Sequence, residues 1–393
     1  LFEHMNEKII TIKPKKKSVT GFKDYSNSNI SNNNLEIFNY ISSQIKNVEI
    51  PKNNLEFISK ILQSYEKNLK GINLNQDDYL LKDQELLELK TKKGSELIRY
   101  LVYRYKYNNF PELKTTEDYP PNLQIEISSV CNLRCVMCYQ KDKTFSTKSK
   151  GFMGYMNFEL FKKIIDEIEG NLEAVTFASR GEPTLNPELE KFLKYSEGKF
   201  LGLKLNTNAT ILSEKIINTL LSSDLETLVF SIDAANKEMY EKIRVNANFE
   251  KILKNLELFH KIKNKNYKNS KLKVRISGVL INDQQNLKEI KNFYKDLADE
   301  FAFVHYTPWE SSYDNEINDI EDPCTDLWRR MFVWWDGKVN PCDYDYKSTL
   351  SVWNAQNMSI KDIWTSEAYK EIRNKHLTKN RKKIEPCARC IAT

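Results

Sequence analysis

Between Leu123 and Tyr306 short apolar runs alternate with amphipathic segments, and that alternation admits very few folds. The strand-like runs are Leu123 to Ser128, Ala174 to Ala178, Leu201 to Asn206, Leu228 to Asp233, Val274 to Leu280 and Phe301 to Tyr306. Between them Phe158 to Glu169, Pro187 to Tyr195, Ser213 to Ser222, Phe249 to Ile262 and Gln285 to Leu297 carry apolar residues at helical spacing. Strict βα alternation implies parallel strands joined by right-handed crossovers. A full eightfold barrel takes roughly 250 residues, or about 31 per unit. Residues 119–308 supply about 190, enough for six units. The expected fold is α/β, a partial (β/α)6 TIM-like barrel.

Two regions flank it. Leu1 to His4 precede Met5 and read as an expression scar, and the polar stretch to about Asn34 reads as an arm. Leu35 to Ile45, Asn54 to Leu69 and Ser95 to Tyr107 have helical periodicity, so residues 5–118 are expected to be a helical N-terminal region. Pro120 and Pro121 then punctuate the chain. Beyond Pro308 the alternation stops. Met331 to Trp335, Asp336-Gly337 and Lys338 to Pro341 read as a β-hairpin with a type I′ turn. Ser359, with Asp362 three residues on, opens a final helix to about Leu377. Residues 309–393 are thus expected to form a separate small α+β unit, with Trp328, Trp334, Trp335, Trp353 and Trp364 mostly in its core.

The net charge of +6 is too mild to imply nucleic acid, and no run of 18 apolar residues implies a membrane span. Lys13, Lys15, Lys16 and Lys17, and likewise Lys379, Arg381, Lys382 and Lys383, read as solvated surface or as a site for an anionic substrate. No export signal is visible, so a cytoplasmic address is expected. Seven cysteines in such a chain argue for metal chemistry over disulfides.

Three of them, Cys131, Cys135 and Cys138, fall within eight residues directly after the first strand. Soft thiolates favour zinc or iron–sulfur clusters. Structural zinc takes four ligands, and no fourth Cys or His lies nearby. A four-iron cluster on three cysteines keeps one iron open. The spacing C-x3-C-x2-C after strand one resembles the radical S-adenosylmethionine (SAM) superfamily. There the open iron binds SAM, whose reductive cleavage gives a 5′-deoxyadenosyl radical that abstracts a substrate hydrogen.

Further residues carry the resemblance. Gly181-Glu182-Pro183 is similar to the family's Gly-Gly-Glu-Pro element, which receives the SAM amino group, with Arg180 replacing the first glycine. Thr207-Asn208-Ala209 resembles Thr-Asn-Gly. Ser231 and Asp233 match the pair that bonds the ribose hydroxyls, and Arg244 the arginine that reaches the SAM carboxylate. Gly278 and Val279 fall where the family packs adenine, a contact to which Met137 or Tyr139 would add. All lie at or beyond carboxyl ends of strands, where parallel barrels assemble their sites.

The remaining four cysteines are Cys324, Cys342, Cys387 and Cys390. Twelve residues separate Cys324 from Gly337 and four separate Gly337 from Cys342, a pattern that resembles the opening of the SPASM extension. With four cysteines it looks like the shortened form called twitch, holding one auxiliary cluster; a four-thiolate zinc site uses the same ligands. Two 4Fe-4S clusters, SAM and an external electron donor such as flavodoxin or ferredoxin are what the resemblance implies. Glu310 or Tyr306 could serve as the base and Arg180 could reach the substrate side, whereas His305 has a core reading as well as a functional one. The expected reaction is an oxidation, epimerisation or dehydration of a sugar or aminocyclitol-like small molecule, because the N-terminal region shows no strand-rich recognition domain. A peptide or protein substrate is the alternative, and a non-catalytic zinc-binding protein the second.

Overall fold

A computed structural model describes residues 33–392 apart from residue 47. Leu1 to His4, the first basic run and nearly all of the polar stretch lie outside the described residues. Four helices come first: α1 Asn34–Ile45, α2 Leu55–Leu69, α3 Asp83–Leu89 and α4 Gly94–Leu113. They enclose their own apolar core around Ile61, Tyr65, Leu97 and Leu101. The expected helical region is present, with α3 in addition; it is too short for periodicity to reveal.

The barrel strands are β1 Asn122–Ile125, β2 Ala174–Phe177, β3 Gly202–Thr207, β4 Thr227–Ser231, β5 Lys273–Leu280 and β6 Glu300–His305. Between β1 and β2 lie the single turn α5 Lys143–Ser146 and helix α6 Phe158–Ile168. Helices α7 Leu189–Tyr195, α8 Glu214–Ser222, α9 Lys237–Ile243, α10 Phe249–Asn266 and α11 Leu287–Tyr294 fill the later crossovers. The abundance of Asn has a local role here: Asn157, Asn236, Asn248 and Asn286, with Ser213, each cap a barrel helix by accepting a backbone N–H.

The C-terminal region contributes β7 Arg330–Val333, β8 Lys338–Asn340, β9 Trp353–Asn354, α12 Ile360–Trp364 and α13 Glu367–Leu377. It is not separate. One nine-stranded sheet runs β6-β5-β4-β3-β2-β1-β7-β8-β9, and β7 pairs in parallel with β1. Strand β1 therefore has neighbours on both sides, and all four of its residues are buried.

Two local expectations need correction. The hairpin turn is not type I′: among residues 334–337 only Gly337 has positive φ, at 82°, and its N–H bonds the Trp334 carbonyl. A type I turn closed by a left-handed glycine satisfies the same Asp-Gly signal. The final helix is broken at Thr365-Ser366, where the Ser366 side chain accepts from the Tyr369 N–H and starts α13 afresh.

Candidate active site

The thiol loop leaves β1 through Glu126, Ser128 and Ser129 and is tied down along its length. Arg134 N–H bonds the Val245 carbonyl and Val136 N–H the Ile243 carbonyl, fixing the loop against the end of α9. Cys131 Sγ accepts from Leu133 N–H at 3.5 Å and Cys138 Sγ from Gln140 N–H at 3.5 Å. None of the seven cysteines is in a disulfide. Burial pushes the Cys131 thiol up to about 12 and raises Cys135 and Cys138 as well; the Cys131 and Cys138 thiols are raised further by neighbouring thiols. Glu182 raises Cys131 as well, and desolvated thiols of this kind disfavour free thiolates unless a metal carries the compensating charge. Among the described residues no three His, Cys, Asp or Glu side chains are drawn together tightly enough to hold a metal ion.

Beside the loop, Gly181 lies where a Cβ would collide with the Ser128 and Ser129 backbone, so only glycine lets the two segments meet. Glu182 follows, with its N–H on the Val130 carbonyl. Its Oε1 accepts from Thr184 N–H at 3.0 Å, Thr184 Oγ1 at 2.6 Å and Thr207 Oγ1 at 2.7 Å, and its Oε2 from Asn208 N–H at 2.7 Å. Burial raises the Glu182 pKa while these bonds oppose the rise. With about four lone-pair positions in a carboxylate, Oε2 keeps capacity for one further donor. Pro183 starts the short 3-10 turn that follows. Asn208 Nδ2 bridges Asn132 Oδ1 at 3.0 Å and Cys131 Sγ at 3.9 Å. Ala209 holds φ 58° where the family has glycine.

The structure regroups several expected contacts. Asp233 and Arg244, expected at the ribose and at the carboxylate, form an ion pair with each other, Nε to Oδ2 at 2.7 Å, and Asp233 Oδ1 accepts from Val279 N–H at 2.7 Å. Two buried opposite charges neutralise one another in the absence of any other partner. Ser231 is half-buried with no side-chain hydrogen bond. Met137 and Val279 share one apolar cluster with Leu133, Cys135 and Ile243, while Tyr139 belongs to a different one, stacked on Tyr346 at 5.0 Å with its hydroxyl on the Ser179 carbonyl. The apolar wall beside the thiol loop thus contains Met137 and excludes Tyr139.

Arg180 is buried in an ion pair of its own. Its guanidinium is 2% exposed, bonds Glu126 through Nε at 2.7 Å and Nη2 at 2.6 Å, donates to the Tyr346 carbonyl at 2.8 Å and lies 4.2 Å from the Trp334 ring centroid. Glu126, which the sequence reading passed over inside an apolar run, supplies the counter-charge. His305 is exposed at the end of β6, which removes its core reading. Tyr306 and Trp309 pack against the thiol-loop cluster. The Tyr306 hydroxyl donates to Glu310 Oε1, leaving Glu310 Oε2 buried and without a partner. Trp309 and Thr307 both bond the hydroxyl of Tyr344, two residues beyond Cys342.

The C-terminal thiols are gathered from three segments. Cys342 is raised by burial and then by Asp343, Cys324, Cys390 and Cys387; Cys387 is raised by burial, Cys390 and Cys324. Four mutually interacting, half-buried thiols suit an iron–sulfur cluster. Two residues missed in the sequence organise them. His376 Nδ1 accepts from Cys324 N–H at 3.2 Å. Arg381 is buried, unlike its exposed neighbours Lys382 and Lys383, and spends its donors on carbonyls of Cys387 at 3.2 Å, Asp322 at 3.1 Å, Cys390 at 2.6 Å and Ala392 at 2.7 Å. The second basic run is therefore surface with one buried clamp inside it. Of the tryptophans, Trp328, Trp334, Trp353 and Trp364 are buried. Among the described residues no helix is long and apolar enough to cross a membrane.

Two family models match this chain, one over each cysteine-bearing region. The radical SAM superfamily model matches residues 125–297, and an iron–sulfur cluster-binding domain model, SPASM, matches residues 324–391. The tungsten-containing aldehyde ferredoxin oxidoreductase cofactor-modifying protein of Pyrococcus furiosus is 26% identical over 311 residues, covering 66% of this chain and 84% of its own. Mycofactocin maturase MftC of Mycolicibacterium smegmatis is 24% identical over 218 residues, 55% of this chain and 52% of its own. Among solved structures, SuiB of Streptococcus suis bound to precursor peptide SuiA aligns with a TM-score of 0.53 at 15% identity, covering 83% of this chain and 84% of that one.

Proposed function

Because the chain belongs to the radical SAM superfamily and carries a SPASM extension with two sets of cluster thiols, we propose that it abstracts hydrogen from a peptide or protein substrate. Bound at these sites, SAM and the clusters supply reductive cleavage of the sulfonium to a 5′-deoxyadenosyl radical, with the electron delivered by an external donor of the flavodoxin or ferredoxin type. The protein's own residues do the rest. Cys131, Cys135 and Cys138 hold the first cluster, Glu182 offers its remaining Oε2 capacity to the SAM amino group, Asn208 and Ser231 offer polar contacts, and Met137 and Val279 wall the adenine. Asp233 and Arg244 would be available to SAM on giving up their mutual ion pair. Cys324, Cys342, Cys387 and Cys390 hold the auxiliary cluster.

The observation that carries this reading is the position of Tyr306 and Glu310. They lie against the thiol loop on one side and, through Trp309 and Tyr344, next to the auxiliary thiols on the other. A carboxylate with one oxygen steadied by a phenol and the other buried and unpartnered is placed to accept a proton from a substrate held between the clusters. The peptide class draws support from the maturase and the precursor-peptide complex among the relatives. A small-molecule substrate remains the second reading, favoured by the all-helical character of residues 33–113 among the described residues. An anaerobic assay for 5′-deoxyadenosine with dithionite tests the chemistry. Stimulation by the above-3-kDa fraction of a host lysate supports the peptide class; stimulation by the small-molecule filtrate alone overturns it.

A further inference from the structure

Helix α13 presents three buried polar side chains one turn apart on one face: Tyr369, Arg373 and His376, at 0%, 6% and 0% exposure. Each has an atom without a hydrogen-bond partner, Tyr369 Oη, Arg373 Nη2 and His376 Nε2. Since His376 Nδ1 accepts the Cys324 N–H, the neutral ring carries its proton on Nε2, so all three atoms are donors. Arg373 uses its other arms on the Leu327 and Trp364 carbonyls and, among the described residues, pairs with no carboxylate. Three unpaired donors, one of them charged, are costly in a core unless an anionic acceptor sits among them.

The neighbours identify that acceptor. Tyr369 lies within electrostatic reach of the Cys342 and Cys324 thiols and of Asp326, whose carboxylate already pairs with Arg330 at 3.2 Å and Arg329 at 4.0 Å, and His376 holds the Cys324 backbone. On the reading that these thiols carry a cluster, we propose that the α13 face is its hydrogen-bond cradle and that the Tyr369 hydroxyl, donating to cluster or cysteine sulfur, raises its reduction potential. Reduction adds negative charge, and hydrogen bonds to sulfur stabilise the more negative state. The ring itself is fixed from three sides, by Trp353 and Trp364 at centroid distances of 5.3 and 5.0 Å and by the Arg373 guanidinium at 4.4 Å. Its hydroxyl therefore has little freedom to find another acceptor.

The test isolates one cluster by placing Tyr369→Phe in a chain already carrying C131A, C135A and C138A, and follows an EPR-monitored redox titration alongside iron analysis. The expected result is unchanged iron and a more negative midpoint, the reduced-to-oxidised ratio at the parent midpoint falling about tenfold, about 59 mV for one electron. Arg373→Gln, which removes the charge but keeps amide donors, should shift the midpoint the same way and decides the matter if Tyr369→Phe does not hold iron. An unmoved midpoint in iron-replete variants overturns the cradle. Absence of iron from the parent triple variant overturns the cluster assignment itself, and the cradle with it.

Discussion

The two thiol sets reach similar ends by opposite routes. Cys131, Cys135 and Cys138 come from one eight-residue loop, clamped by two backbone bonds to the end of α9. Cys324, Cys342, Cys387 and Cys390 come from three segments spread over residues 324–390, and Arg381 and His376 draw them together. A local site keeps its geometry through the loop's own backbone; a dispersed site depends on buried polar side chains with no other work. The first set should therefore fail by loss of ligands, the second by loss of its organisers.

The largest effect that would separate them is complete. C131A/C135A/C138A should abolish 5′-deoxyadenosine formation and remove about half the iron, roughly four of eight atoms per chain. C387A/C390A should remove the other half and leave dithionite-driven SAM cleavage in place. Next, Arg381→Met should cost about 3–5 kcal/mol, because it frees four carbonyls at once and strips a buried charge from the thiols. Thermal unfolding measures this, and Arg381→Lys should recover little, since one ammonium cannot match the planar fork. Glu310→Gln leaves the cleavage chemistry intact in this scheme, so it should reduce product formation by 10- to 10⁴-fold while 5′-deoxyadenosine still appears.

Smaller effects test how the two halves are fastened. Asp142 lies between them, accepting from Tyr346 at 2.9 Å and pairing with Lys347 at 2.7 Å. Burial would raise its pKa, but the bonds from Lys347, Thr144 and Tyr346 outweigh that and lower it to about 2. A depressed carboxylate stabilises the fold above its unfolded value of about 3.9. That stability is lost as pH falls through the folded value, so Asp142→Asn should flatten the fall in Tm between about pH 4 and pH 2. The smallest change is a gain: Ala209→Gly relieves a left-handed alanine and should add about 1 kcal/mol by chemical denaturation.

What the sequence made legible follows the same divide. Alternation from Leu123 to Tyr306 located all six barrel strands, because each strand is short, apolar and flanked by amphipathic helix. The loop thiols were readable because ligands, spacing and strand sit together. Pairings across distance were not. Glu126 and Arg180 are 54 residues apart and look in sequence like an odd polar residue and a missing glycine. Asp233 and Arg244 each suggested a separate ligand contact until the fold brought them within 2.7 Å. Tyr369, Arg373 and His376 had a helical spacing that could have marked a polar stripe, but nothing local shows that the stripe faces inward.

The pairing of β1 with β7 has a bearing on how the protein is made. Strand β1 leaves the ribosome roughly two hundred residues before Arg330–Val333, so its second edge stays unsatisfied for about 10–40 s at ordinary elongation rates. During that interval the thiol loop hangs from a strand secured on one flank alone. Cluster delivery that waits for translation to pass Val333 meets a braced receptacle, whereas earlier delivery meets a loose one.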